Sequence, residues 1–291
     1  MLSYAEGAWR KGLSQFERAE SIVAADGRGV AWVRAPIRTL CLPCLQHMAH
    51  VDELRQRAMA FTSEARERGD RALETTIGSL SLPFCALVAG DAETALRTQE
   101  ESLTRWSREG YSSQETHQAY VRPWIHLYNG DAEAAWRFIA GEWPKLKSHN
   151  FLRVATFSEM LWWSRGQAAL AYSRVAADPR PLVQDAARCA RQLEKKVSSF
   201  GPALGGLIRA WLAMRNGWTA EGARLLESAA ATLEANDMIL YAAAARWRLG
   251  QIQGGSEGDA RMAEASAAMT ALGVADCARF ADAFAPAVGR R

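Results

Sequence analysis

The chain has 291 residues, of which 49% are hydrophobic, and its 35 basic and 32 acidic side chains give a net charge of only +3. This balance argues against nucleic acid or an anionic membrane as a partner, because both attract proteins with a large positive excess. Alanine, leucine, arginine and glutamate are abundant, and no segment alternates with period two over the length of a strand. The composition therefore predicts an all-α protein.

Three prolines, Pro43, Pro83 and Pro123, follow one another at intervals of forty residues. Other positions share this interval, and the aligned sets include Cys44, Phe84 and Trp124, and His47, Leu87 and Leu127. Such an interval is typical of stacked helical units, so we expect an α-α solenoid, a superhelical array of helix-turn-helix repeats. Each proline lies past the middle of the first helix of its unit, where we expect it to bend the axis. Alternatively, it begins a separate last turn.

The interval divides the chain into successive helix pairs of a single domain. The first unit, residues 1–26, has no room for a first helix of the usual length. Either residues 1–11 form a truncated cap, or the chain was cut from a longer array, which we expect. The complete pairs are predicted at residues 27–69, 70–110, 111–149, 150–199, 200–236 and 237–291.

Two turns repeat the pattern Gly-Asp-x-x-x-Ala, at residues 90–95 and 130–135. Glycine tolerates the left-handed conformation that ends a helix, and the aspartate can cap the next helix by accepting a backbone N–H bond. The pattern is similar to the turn and second helix of tetratricopeptide repeats, although the interval here is longer than their usual length of about 34 residues.

Three segments resemble the C-terminal helical region of large bacterial serine/threonine kinases that also contain an ATPase module. They are Gly29-Val30-Ala31-Trp32, residues 64–70, and residues 134–154. The resemblance implies a regulatory region, either part of a signalling kinase or a stand-alone relative of one. It includes no catalytic residue, and in that family the kinase and ATPase parts precede such repeats.

No catalytic signature occurs in the sequence, which lacks phosphate-binding loops, dinucleotide-binding fingerprints, zinc-protease motifs, nucleophile elbows and paired kinase motifs. We therefore expect no enzyme, no catalytic residue and no cofactor. The five cysteines form no disulfide-like framework, the first residues lack a signal-peptide pattern, and the most apolar window, residues 77–90, is too short to span a bilayer. These features predict a cytoplasmic protein.

A metal site is the most specific chemical hypothesis, because Cys41, Cys44, His47 and His50 follow one another at steps of three residues. Steps of three rotate side chains progressively around a helix, so the first and last point to opposite faces. The forty-residue register also places Cys44 and His47 at core positions. We therefore expect no metal, with these four residues as weak candidates.

A partner-binding surface is the other hypothesis. Trp163 adjoins Trp162 and cannot share its face, so we expect it to be exposed. Two basic stretches could bind an acidic partner, although the alternative is an ordinary solvated helix face. The candidates for binding a partner are Lys145, Lys147, Arg153, Trp163, Arg188, Arg191 and Lys195.

These patterns predict a non-enzymatic scaffold that binds a protein or peptide in the concave groove of the array. The alternative is a small-ligand sensor module of a signalling ATPase or transcription regulator.

Overall fold

The computed structural model describes residues 2–26, 31–106 and 110–286, and these residues form α-helices and one short 3₁₀ turn without any strand. The all-α prediction is therefore confirmed for this part of the chain. Residues 29 and 30 of the kinase-like segment lie outside it. The helices are α1 (Leu2–Ala5), α2 (Trp9–Asp26), α3 (Ala31–His47), α4 (Val51–Arg68), α5 (Arg71–Ser79), α6 (Ser81–Val88), α7 (Ala92–Thr104), α8 (Ser113–Tyr128), α9 (Ala132–Ser148), α10 (Ala155–Tyr172), α11 (Arg180–Glu194), α12 (Gly201–Arg215), α13 (Thr219–Ala235), α14 (Ile239–Gln253), α15 (Gly255–Ala271) and α16 (Cys277–Phe284).

Helices that follow one another in sequence pack against one another, most extensively α12 with α13 and α14 with α15. The 3₁₀ turn, Phe151–Arg153, joins α9 to α10. Among the described helices, none is both long and apolar enough to cross a membrane.

The predicted turns between paired helices are confirmed at both repeats of the Gly-Asp pattern. Gly90 and Gly130 have φ angles of +83° and +76°. Asp91 caps α7 by accepting a hydrogen bond of 2.8 Å from the backbone N–H of Thr94. Asp131 caps α9 in the same way. Each turn therefore depends on the same two residue types, forty positions apart.

The prolines do not all act in the same way. α3 is continuous through Pro43, and α8 is continuous through Pro123. In the unit between them, the equivalent helix is divided at Leu80 into α5 and α6, and Pro83 lies in the first turn of α6. The carbonyl of Ser79, which Pro83 leaves without its helical donor, accepts a hydrogen bond of 3.0 Å from the buried amide of Gln99. The alternative reading, a proline that begins a separate turn, therefore applies to this unit.

Regions far apart in sequence also meet. The backbone N–H of Ser199 donates to the carbonyl of Glu6, and Arg10 on α2 forms an ion pair of 2.8 Å with Asp237. Near the other end of the described chain, α16 packs against α8 and α14. The first and last described helices thus pack against helices that are far from them in sequence.

Candidate functional site

Helices from several units converge on a group of buried aromatic side chains, which we call the central cluster. Its members are Phe84, Trp124, Trp163, Tyr241, Phe280 and Phe284. The ring of Phe284 lies 5.1 Å from Trp124, 5.3 Å from Tyr241 and 5.9 Å from Trp163, measured between ring centroids. The helices that contain these residues therefore face one another across an interior that these side chains fill.

Trp163 does not have the exposed position expected from its sequence neighbours. Its side chain is completely buried, with its ring 5.8 Å from Trp124 and 5.3 Å from Tyr241. Trp162 is the partly exposed residue of the pair and packs edge-on against Trp143. The two tryptophans lie on different faces of α10, as expected, but the buried one is Trp163 and not Trp162. The reason is that α10 packs against both of its sequence neighbours and also against α8.

The four metal-ligand candidates are not brought together. His47 is buried and stacks on Trp9 at 4.3 Å, and burial lowers its pKa to about 3. Burial also raises the pKa of the Cys44 thiol to about 12, so this sulfur stays protonated at neutral pH and is a poor metal ligand. The Cys41 thiol is buried as well and accepts a hydrogen bond from Arg57.

His50 lies apart from the other three, in the turn that precedes α4. Its exposed ring approaches Glu53, with 3.6 Å between Nδ1 and Oε2. Ala49, with a φ angle of +61°, takes the left-handed position of this turn, one residue before His50, which lies forty residues before Gly90. No cluster of three or more potential metal ligands occurs in the described part of the chain.

Two of the basic candidates are already paired with carboxylates. Lys145 donates to Glu142 at 2.7 Å, and Arg188 donates to Asp185. Asp185 also accepts from the buried Arg165, whose guanidinium lies 4.4 Å from the ring centre of Trp143. This buried arginine is not among the residues predicted from the sequence, where its only signal is a charged residue at an inward-facing position of an apolar helix.

Four other basic candidates are exposed and form no ion pair with any described residue; we call them the basic edge, comprising Lys147, Arg153, Arg191 and Lys195. A chain of hydrogen bonds connects the two stretches to which they belong. Lys196 donates to Ser158, and Ser158 donates at 2.9 Å to the carbonyl of Leu152. Because Lys195 and Arg153 adjoin the two ends of this chain, the structure brings the two stretches close together at these two residues.

A separate open groove of about 820 Å³ lies between α7 and α9 above α8. Its charges are mixed, and the polar residues that line it include Glu100, Tyr111, Glu115, Arg122, Glu142 and Lys145. Arg122 is held in place by Gln99 at 2.9 Å and by Glu100 at 3.1 Å. The volume is within the range of small-molecule sites, about 300–1,000 Å³.

No protein-family model matches this chain, and no curated protein is significantly similar to it. Function therefore has to be inferred from the placement of its own residues.

Proposed function

We propose that this protein is a non-enzymatic interaction module, an α-α solenoid of TPR-like repeats of about forty residues that binds an acidic segment of a protein partner. The basic edge supports this proposal best. Lys147, Arg153, Arg191 and Lys195 are exposed, come from two successive helix pairs, and have no carboxylate partner among the described residues. Charges arranged in this way favour association with a partner of opposite charge.

The partner is expected on the basic edge because the interior of the array is filled by the central cluster. The resemblance to helical regions of bacterial serine/threonine kinases favours a signalling kinase or its ATPase part as the natural partner. The chain would then be the C-terminal part of such a kinase or a stand-alone relative.

A charge-reversal experiment tests this function. The variant replaces the four residues of the basic edge, as Lys147→Glu, Arg153→Glu, Arg191→Glu and Lys195→Glu. Its matched control has the same change in net charge on other exposed arginines, as Arg18→Glu, Arg55→Glu, Arg97→Glu and Arg224→Glu. Crosslinked pull-down from the native host should recover a protein with the wild type and the control, and at least tenfold less of it with the variant. Recovery of no partner, or equal recovery with all three proteins, contradicts the proposal.

The groove between α7 and α9 favours a second function, that of a small-ligand sensor. A ligand that binds only the folded state raises the free energy of unfolding, so a thermal-shift screen with metabolites would detect it. The shift should disappear in Glu142→Gln, which changes the groove, and persist in Glu93→Gln, on the exposed surface of α7. A screen without any stabilising compound removes the support for this function.

A further inference from the structure

α16 is bound by the rest of the chain in the way that a helical peptide is bound by a receptor. Although α15 directly precedes it, α16 packs mainly against α8 and α14. Phe280 and Phe284 are four residues apart on its buried face and stack at 4.5 Å. Phe284 reaches the rings of Trp163 and Tyr241. Two aromatic side chains at this spacing are the usual anchors of a helix in an apolar groove.

The C-terminal end of α16 is held by side chains that contact its backbone. The last carbonyls of a helix have no donor within the helix. Gln167 supplies one at 3.2 Å to the carbonyl of Ala283, and Arg248 supplies another at 2.8 Å to the carbonyl of Ala285. Arg248, which is 2% exposed, also pairs at 2.6 Å with Asp282. These contacts select a helix end with a carboxylate between the two aromatic anchors.

The site also contains a polar group that α16 does not satisfy. Gln167 is buried, and its Oε1 has no hydrogen-bond donor among the described residues. A buried acceptor without a donor is unfavourable, because it has lost its hydrogen bonds to water. A segment that combines the same anchors with a donor at this point would therefore fit the site better than α16 does.

The position of α16 permits exchange. Its opposite face, which includes Ala278, is exposed, so α16 covers the central cluster from the outside. Arg279 on this face donates to the carbonyl of Tyr128 at 3.0 Å and to the side chain of Asn129 at 2.6 Å. Residues 272–276 connect it to α15, and Gly273 in this connection has a φ angle of +89°. Outward movement of α16 would therefore require rearrangement of this short connection and loss of the hydrogen bonds that Arg279 and the backbone N–H of Ala275 donate, the latter to the carbonyl of Val88.

We propose that the surface under α16 is a docking site for a helix of a partner protein, and that α16 occupies this site in the free protein. The partner helix has two aromatic residues four apart with a carboxylate midway between them. This inference rests on the proposed role as an interaction module, but it concerns a different surface from the basic edge. Because α16 is tethered, a partner competes with a high effective concentration of the internal helix.

A labelled peptide tests the proposal. Fluorescein-labelled synthetic peptide of residues 274–286 is titrated into the full chain, and binding is measured by anisotropy. Phe284→Leu weakens the internal helix while keeping an apolar side chain, so it should bind the peptide at least tenfold more tightly than the wild type does. A peptide with alanine at both aromatic positions should not bind either protein.

Asp282→Ala provides a second test that does not disturb the aromatic anchors. It removes the ion pair with the buried Arg248, but Arg248 keeps its hydrogen bonds to the carbonyl of Ala285 and to Gln251, so the chain should stay folded by circular dichroism. Hydrogen exchange of residues 277–284 should accelerate at least tenfold, while exchange in α8 and α14 stays unchanged.

Absence of peptide binding to Phe284→Leu, or exchange of α16 only together with the rest of the protein, overturns the proposal. A dimer that forms by exchange of α16 between copies also overturns it, because the site then belongs to a second copy. The basic-edge variant should bind the peptide like the wild type, so failure here leaves the proposed function intact.

Discussion

The central cluster and the basic edge differ in how their side chains find partners. In the cluster, aromatic rings from five helices pack against one another inside the protein. On the edge, four cations point into solvent and no described residue neutralises them. Burial of apolar surface stabilises the fold, whereas exposed charges contribute little to stability and remain available for binding. Substitutions in the cluster should therefore change stability, and substitutions on the edge should change association.

Trp163→Ala gives the largest expected effect. Removing this completely buried ring should lower the free energy of unfolding by about 3–5 kcal/mol, because apolar contacts are lost and a cavity remains. Trp218→Ala is the matched control, since Trp218 is 63% exposed, and its effect should stay within about 0.5 kcal/mol. Urea denaturation of both variants measures the difference. Equal losses would show that Trp163 is not part of a packed cluster.

Asp185→Ala tests a charged group that is buried. The substitution leaves the guanidinium of Arg165 without its carboxylate, and an unpaired buried charge costs about 3 kcal/mol or more. Asp178→Ala breaks an exposed pair with Arg180 and should change stability much less. Thermal and urea denaturation compare the two variants. A small effect of Asp185→Ala would mean that water reaches Arg165.

His47 makes the free energy of unfolding of the protein depend on pH. Burial lowers its folded-state pKa from about 6.5 to about 3, so the unfolded chain binds the extra proton between these values. Stability is therefore lost as the pH falls below about 6.5, by about 1.4 kcal/mol per pH unit for this residue.

The check is urea denaturation of His47→Leu between pH 6.5 and pH 5. This variant should lose less stability over that interval than the wild type, by about 2 kcal/mol. His50→Gln, in the exposed turn of the same segment, should behave like the wild type. If the stability of His47→Leu depends on pH in the same way as that of the wild type, the imidazole of His47 in the wild type is in contact with solvent.

Gln99→Leu has a smaller expected effect, because it replaces one buried polar group. The carbonyl of Ser79 and the Nε of Arg122 both lose a hydrogen-bond partner. An unsatisfied buried group costs about 1–3 kcal/mol, so a loss in this range is expected. Gln118→Leu, on the wall of the groove between α7 and α9, is the control, and its effect should be smaller. If the denaturation curves of Gln99→Leu and Gln118→Leu do not differ, water replaces the side-chain amide of Gln99.

Local features of this fold could be predicted from the sequence, and long-range ones could not. The turns at Gly90 and Gly130 follow from a glycine and an aspartate in direct succession, so their geometry needs no distant partner. The break near Pro83 and the continuity at Pro123 differ although the spacing is identical, because the environment of each proline depends on residues of other helices, such as Gln99. The same limit explains the error at Trp163, whose burial depends on α16, more than a hundred residues away.

For the candidate site, the positions of the basic residues could be predicted from the sequence, but the closeness of the two basic stretches could not. Both basic stretches are visible in the sequence, yet the contact between them depends on Lys196 and Ser158, which are 38 residues apart. Whether a cation is paired also depends on the fold. Arg188 shares Asp185 with a buried arginine, while Arg191, three residues later, has no described partner.

The smallest expected effect on stability belongs to the basic edge. Arg191→Glu with Lys195→Glu should change the free energy of unfolding by no more than about 0.5 kcal/mol, because neither side chain is buried or paired within the described chain. The salt dependence of stability should also stay close to that of the wild type, since no internal ion pair is lost. Urea denaturation at low and high salt measures both quantities. A marked loss of stability would mean that these two cations stabilise the fold through internal contacts. They would then not be available to bind a partner.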